Sequence, residues 1–346
     1  MRVDELSVVQ YSIPFTKTFK TSGNEYNFRE GIWLQIFSNE FVGIGEVAPL
    51  VGYSFESLKE VHYALEGFKQ SIYGVDLEYE EFFSLIEVHS ESLPSLRFGL
   101  ETAINDILAK QNNLSIAKYL NSNANNEINV NGLSNIHPPN KGYKVIKVKV
   151  GYRNLFDEIE NMENLSKLYG DRVLFRLDCN GVYDLSQSIR FCKEMEQFNI
   201  DYIEQPMPAI ELEDLAELRY HTQIPIALDE SLLDFRSAEK IIEYQAADVF
   251  VLKPMITGGY IESAKIIDLA KDEDIRTVVT STLETFVGRM SCLHLALANE
   301  ISEVCGLATG DLLKENSPIL INNGKMAILP AKGLGLEIDK NIINVQ

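Results

Sequence analysis

Positive charge is scarce in this 346-residue chain: 31 Lys and Arg stand against 51 Asp and Glu, giving a formal net charge of −20 and a pI near 4.7. That balance excludes a basic face for nucleic acid and is equally unsuited to an anionic membrane surface. Long apolar runs are missing too, with nothing near the roughly 18 continuous apolar residues of a transmembrane helix. Cysteine is sparse. Its four residues, Cys179, Cys192, Cys292 and Cys305, form no Cys-x-x-Cys pair, so neither a disulfide framework nor a structural zinc site is expected. The five histidines are scattered, without His-x-His or His-Glu-x-x-His. The glycine fingerprints of dinucleotide-binding folds and of P-loops are absent as well. The opening residues Met1-Arg-Val-Asp-Glu-Leu place acids where a signal peptide would be basic and then apolar. The expectation is a reduced, cytoplasmic protein.

What is present is an ordinary globular composition, 45% hydrophobic and 24% charged, at a length suited to about two domains or one large barrel with an attachment. Residues 6–13, 31–37 and 41–46 are rich in branched and aromatic side chains and predict strands, the last two an antiparallel meander. Between the first two, residues 16–27 are mostly Lys, Thr, Ser, Gly and Asn, which predicts a mobile loop. Ser57-x-x-Glu60 predicts a capping box at the start of a helix. Further helices are expected near 78–87 and 96–111, the second burying Leu96, Phe98, Ile104, Ile107 and Leu108.

The polar stretch 121–127 reads as a linker. Beyond it the texture changes, and short branched-apolar runs alternate with amphipathic stretches. Strands are predicted at 128–132, 145–150, 174–179, 201–204, 224–229, 248–253, 277–281 and 306–309. Phe156, Ile159, Leu165 and Tyr169 would share one face of an intervening helix, and Leu185, Ile189, Cys192 and Met195 one face of the next. Strands alternating with helices imply parallel pairing. From the second strand to the seventh the closing residues are Lys149, Asp178, Glu204, Asp229, Lys253 and Ser281, spaced 24 to 29 residues apart. A regular period with a polar group at each strand's C-terminal end predicts a (β/α)8 barrel enzyme. A doubly wound open sheet is the rival, but it gives no reason for ionisable groups at five successive strand ends.

Three of those residues are carboxylates on adjacent strands, which would lie roughly 5 Å apart. Asp178, Glu204 and Asp229 that close would repel one another unless a cation sat among them. All-oxygen ligands without nearby His or Cys favour a hard ion, Mg²⁺ first and Mn²⁺ second. Single strand-end acids commonly cap helices or face solvent; three in succession are harder to explain that way. Lys147 and Lys149 share one face of an otherwise apolar strand. Such a pair is tolerated where both ammonium groups reach the barrel mouth or an anion. Lys253 would lie across the mouth from Lys149, since the second and sixth strands of a closed eight-strand barrel are opposite. A small-molecule substrate bearing a carboxylate would sit between two amines, an arrangement suited to removing the proton beside that carboxylate. Asn180 should point the same way as Asp178, as a binding group or simply as a turn-former before Gly181. Cys179 should point outward into the core. Ser281, Thr282 and Glu284 are expected to line the pocket, and Thr309 to flank it.

Together these residues resemble the enolase superfamily in its muconate-lactonising branch. The pattern there is Lys-x-Lys on the second barrel strand, acids on the next three and Lys on the sixth, matched here by Lys147-Val-Lys149, Asp178, Glu204, Asp229 and Lys253. Within that branch, Gly43-Ile-Gly-Glu-Val-Ala-Pro-Leu50 with Gly52-Tyr-Ser, Pro94 to Glu101, and Gly306-Leu-Ala-Thr-Gly310 are similar to the o-succinylbenzoate synthase family. The resemblance implies a modified (β/α)7β TIM barrel of residues 125–310, an α+β capping domain of residues 1–124, and a segment 311–346 returning to that domain. It also implies the roles: Asp178, Glu204 and Asp229 hold Mg²⁺, Lys149 is the base, and Lys253 is its electrostatic partner across the site. Lys147, Asn180, Ser281, Thr282 and Thr309 would contact the substrate. The implied reaction is loss of water from 2-succinyl-6-hydroxy-2,4-cyclohexadiene-1-carboxylate in menaquinone biosynthesis, with the 16–27 loop closing over the site. Dipeptide epimerases of the branch carry Asp-x-Asp on the eighth strand, whereas Leu307-Ala308-Thr309 stands here, with Asp311 alone and later. An N-succinylamino acid racemase or a dipeptide epimerase of the same superfamily remains the alternative, and a non-catalytic metabolite-binding barrel a more distant one. Oligomeric state is not legible.

Overall fold

The computed structural model describes residues 1–20 and 25–338, except for the side chains of Lys20 and Asn140. The N-terminal part is a three-stranded antiparallel sheet, β1 (Glu5–Lys20), β2 (Glu25–Ser38) and β3 (Phe41–Val47), backed by α1 (Leu58–Ile72), α2 (Tyr79–His89), α3 (Pro94–Gln111) and α4 (Ile116–Leu120). The predicted loop at 16–27 is corrected: β1 and β2 extend into it as a paired arm, to Lys20 and from Glu25, with Phe19 opposite Tyr26 after a register shift. Aromatic packing of Phe15, Phe19 and Tyr26 holds the arm in spite of its polar composition. Residues 21–24 of that expectation lie outside the described residues.

The capping box forms as predicted, Ser57 and Glu60 each accepting the other's backbone N–H. Helix α3 has no single buried face. It is enclosed on nearly every side, from Ser95 through Ile107. Strand β3 lies directly on it because Gly43 and Gly45 lack side chains; a Cβ at either would come within 2.0 Å of a carbonyl oxygen of α3.

After the linker come β4 (Glu127–Asn129), β5 (Gly132–Leu133) and β6 (Val145–Lys149). Then α5 (Leu155–Tyr169), β7 (Leu174–Asp178), α6 (Leu185–Met195), β8 (Ile200–Glu204), α7 (Leu212–His221), β9 (Ile226–Leu228) and α8 (Phe235–Glu243) alternate. The series ends with β10 (Val249–Leu252), α9 (Pro254–Thr257), α10 (Gly259–Asp272), β11 (Arg276–Val279) and α11 (Phe286–Ala298). Strands β5 to β11 form one parallel sheet in sequence order. The predicted strand at 128–132 is two pieces, because β4 pairs instead with β13 (Lys325–Ala327), itself paired with β12 (Ile321–Asn322). The predicted strand at 306–309 is reduced to isolated bridges: Cys305 pairs in parallel with Val130, and Gly306 with Thr280. The sheet therefore curls until both its edges meet this short segment.

In helix α5 Ile159, Leu165 and Tyr169 pack against the core as expected, but Phe156 does not. Phe156 is 74% exposed, and Glu158 and Met162 are buried in its stead. The Glu158 carboxylate turns inward because it accepts the N–H groups of Gly151 and Arg153 and closes the loop after β6. Beyond residue 311 the chain meets β1 through Phe15 and Leu313, and meets α3 through the Leu334 N–H to Asp106. Among the described residues no helix is long and apolar enough to cross a membrane.

Candidate active site

Parallel register brings the predicted strand ends side by side: Lys149 pairs with Asp178, and Asp178 with Glu204. Alternation along β6 puts Lys147 and Lys149 on one face, and both reach the same carboxylate. Lys147 Nζ lies 2.9 Å from Asp178 Oδ2 and 2.8 Å from Glu204 Oε1. Lys149 Nζ is 3.8 Å from Asp178 Oδ2 and donates to Asn180 Oδ1 at 2.7 Å. On the other flank, Lys253 Nζ is 2.6 Å from Asp229 Oδ2. Lys149 and Lys253 thus flank the row of carboxylates, with β7, β8 and β9 between their strands.

Burial sets the electrostatics. It pushes Glu204 up to about 8; Lys147 opposes this, while Asp178 and Asp229 add to it. Asp178 is buried as well, yet Lys147 and Lys149 hold its carboxyl below the ordinary range. Burial alone would lower Lys147, but Asp178, Glu204 and Asp229 lift it well above the usual lysine value. Lys147 is therefore a fixed cation, bound to acids rather than to its neighbour Lys149.

Several residues that sequence reasoning did not assign belong to this cluster. Tyr53, from the loop after β3, accepts from Lys253 Nζ at 2.5 Å and donates to Asp229 Oδ1 at 2.9 Å, with its ring 4.2 Å from the ammonium. Glu230 accepts from Asn180 Nδ2 at 2.9 Å, and burial together with Asp229 pushes it up to about 7. Alternation would turn Glu230 away from Asp229, but β9 has already ended at Leu228. Gln205 receives the N–H groups of Asp229 and Ser231 and fixes that turn. Phe19, on the arm, lies 5.8 Å from Lys149 Nζ. Asn180 and Gln205, at the ends of β7 and β8, have φ of 48° and 41°. Such left-handed residues are costly and concentrate at functional sites. Cys179 is buried. Ser281 and Thr309 bond each other at 2.7 Å. The backbone N–H of Thr282 donates to the Glu284 carboxylate at 2.8 Å, while the Thr282 hydroxyl is buried without a partner.

Among the described residues no three His, Cys, Asp or Glu side chains are gathered as a metal centre. The donor set still fits a hard cation. It is all oxygen, and Glu204 Oε2 is buried with no hydrogen-bond partner, an arrangement costly to leave unsatisfied. Ammonium groups occupy the remaining positive role.

Parallel strands that deliver their polar residues to one mouth define an α/β protein with its site at the carboxyl ends of the sheet. Residues 139–342 match the family model "Enolase C-terminal domain-like", and residues 3–107 match "MenC, N-terminal domain". The first match spans more than half of the chain, which belongs to the enolase superfamily. An L-amino acid-D/L-Glu epimerase of Francisella philomiragia is 27% identical over 84% of this chain and 85% of its own. An o-succinylbenzoate synthase of Thermobifida fusca is 32% identical over 54% of this chain and 59% of its own. The N-succinyl-L-Arg/Lys racemase of Bacillus cereus is 25% identical over 99% of this chain and 97% of its own. A crystal structure of N-succinyl Arg/Lys racemase from that organism superposes with a TM-score of 0.89 at 22% identity, covering 99% and 97% of the two chains.

Proposed function

We propose that this enolase-superfamily enzyme is a metal-dependent o-succinylbenzoate synthase, built as a (β/α)7β barrel under an α+β cap and acting on a small cyclohexadiene carboxylate. The observation that carries the reading is the pair of lysines, Lys149 and Lys253, flanking three strand-end carboxylates. The match of residues 3–107 to the MenC N-terminal domain and the Thermobifida relative support the synthase in particular.

Asp178, Glu204 and Asp229 would hold Mg²⁺, or Mn²⁺ in its place. When bound, the cation would neutralise charge gathering on the substrate carboxylate. Lys149 is the base. Its side chain is 37% exposed, so the ammonium reaches the mouth, and Asn180 orients it. In the proposed reaction Lys149 takes the proton beside the ring carboxylate. It then returns a proton to the departing hydroxyl on the same face, releasing water as the ring becomes aromatic. Lys147 stays charged and fixes the two acids beside it. Lys253, held by Tyr53 and Asp229, presents positive charge on the opposite face. Asn180, Ser281, Thr282 and Thr309 are the proposed binding groups for the substrate.

Asp311 favours this over a dipeptide epimerase. Its side chain is 69% exposed and meets His137 at 3.2 Å, which leaves the Thr309 region without an acid aimed at an α-ammonium. The second reading is an N-succinylamino acid racemase, favoured by the full-length Bacillus cereus relative and by lysines on both flanks. One experiment separates them: purified protein with Mg²⁺ and the cyclohexadiene substrate, followed by ultraviolet absorbance with an EDTA control. EDTA-sensitive loss of the diene supports the synthase. No reaction, with inversion of N-succinyl amino acids in deuterated buffer, would replace it by the racemase.

A further inference from the structure

Leu283 has φ of 62°, a conformation that is an outlier for a bulky side chain. It sits in the turn after β11 that carries Ser281 and Thr282. Arg29, on β2, grips that turn from the opposite domain. Its Nε donates to Leu283 O at 3.1 Å and its Nη2 to Thr282 O at 3.3 Å. The remaining donors go to Ala48 O, to Pro49 O at 3.0 Å and to Glu30 O at 2.9 Å. Arg29 is 1% exposed, and these five acceptors are all backbone carbonyls. A buried cation is costly. Here the five N–H donors of a guanidinium meet five carbonyls, which accounts for the site using arginine.

Four of the five carbonyls come from two segments that both enter the candidate site; the fifth, Glu30 O, belongs to β2 itself. Ala48 and Pro49 lead into the turn in which the Tyr53 and Ser54 N–H groups bond Leu50 O, and Tyr53 contacts Lys253 and Asp229. Thr282 and Leu283 follow Ser281. The same sheet reinforces the second segment. Glu46 accepts from Thr285 N at 2.9 Å, Thr285 Oγ1 at 2.6 Å and Gly288 N at 2.7 Å, while Trp33 Nε1 donates to Thr285 Oγ1 at 3.0 Å.

We propose that Arg29 is a positioning residue for the active site: it holds the strained Leu283 turn and fixes the Ser281 side of the pocket relative to the Tyr53 side. The inference rests on the active-site reading above, and strain at a functional site is its physical basis. Glycine adopts φ near +60° without penalty, so a glycine at position 283 relieves the need for Arg29.

The test compares the full-length wild type, Arg29→Lys, Arg29→Met, Leu283→Gly and each Arg29 variant combined with Leu283→Gly. In the single Arg29 variants, amide exchange across 280–288 and 48–54 should quicken by at least about tenfold. Their kcat/KM should fall at least about tenfold, mostly through KM. Adding Leu283→Gly should recover at least about threefold of kcat/KM and slow exchange in 280–288. Lysine keeps the charge and methionine removes it, so loss of fold in one still leaves the other readable. Arg29 variants within about twofold of wild type in exchange, or no recovery with Leu283→Gly, would overturn the proposal. So would loss of fold in both variants that Leu283→Gly does not restore. A wild type inactive on the cyclohexadiene substrate refutes the synthase alone, because the exchange comparison still decides the role of Arg29.

Discussion

Glu101 should make the seam between the helices of the N-terminal part and the parallel sheet weaken as pH rises. Its carboxylate lies inside α3 at 2% exposure and accepts Tyr260 N at 2.6 Å and Ile261 N at 3.1 Å, at the start of α10. Gly259 makes the approach possible: its φ is +89°, and a Cβ there would meet Glu101 Oε2 at 2.6 Å. Burial pushes Glu101 from 4.5 up to about 7, outweighing the two N–H groups and Arg97, while Glu262 adds to the rise. A carboxyl raised in the folded state contributes stability that is complete below its unfolded value and lost as pH climbs through the folded one. At about 1.4 kcal/mol per pH unit, the displacement corresponds to roughly 3 kcal/mol. Glu101→Gln retains an acceptor and removes the titration. Equilibrium urea unfolding at pH 5, 6, 7 and 8, read by the single tryptophan, Trp33, measures both proteins. Wild-type stability relative to the variant should fall by about 2.5 kcal/mol across that span, most of it below pH 7.5. Glu56 is raised to about 7 in the same sense, but it is present in both proteins and drops out of the difference. A difference constant within about 0.5 kcal/mol, or one that grows with pH, would refute burial as the dominant influence.

Two further outcomes concern the chemistry. Lys149→Ala should lower kcat by at least about 10³-fold with unchanged circular dichroism, the scale of a lost general base; activity within tenfold of wild type would remove Lys149 from that role. Asp229→Asn should weaken the Mg²⁺ dependence of turnover at least tenfold, since it takes charge from the proposed ligand set and also releases Lys253 and Tyr53. A titration with Mg²⁺ that superposes on wild type would exclude Asp229 as a ligand.

Much of the site was legible because its signals are local. Polar residues ending apolar strands at a steady interval mark one rim of a parallel sheet, and Lys147 and Lys149 share a face through strand alternation alone. The register then brought Lys149, Asp178 and Glu204 together as that pattern requires. Elsewhere local signals misled. Composition at 16–27 suggested a loop, but cross-strand aromatics carried the strands onward. Phe156 fitted an apolar stripe, yet it is exposed, while Glu158, two residues on, is buried on the backbone donors of Gly151 and Arg153. Tyr53, Arg29 and Glu230 were given no role in the site because their partners are remote: Tyr53 meets Lys253 from 200 positions away, and Arg29 meets Leu283 from 254.

The sequence by itself therefore determined which residue types stand at each strand end, and from that the all-oxygen character of the carboxylate set and the family pattern. Only the tertiary structure decided which charges neutralise which. Lys147 bridges Asp178 and Glu204 rather than sitting free beside Lys149, Lys253 is clasped by a tyrosine from the loop after β3, and a buried arginine grips a strained turn. Spacing along a chain fixes periodicity and facing. Pairing between remote charges depends on distances and burial that exist only once the sheet has curled and the N-terminal part has packed across its mouth.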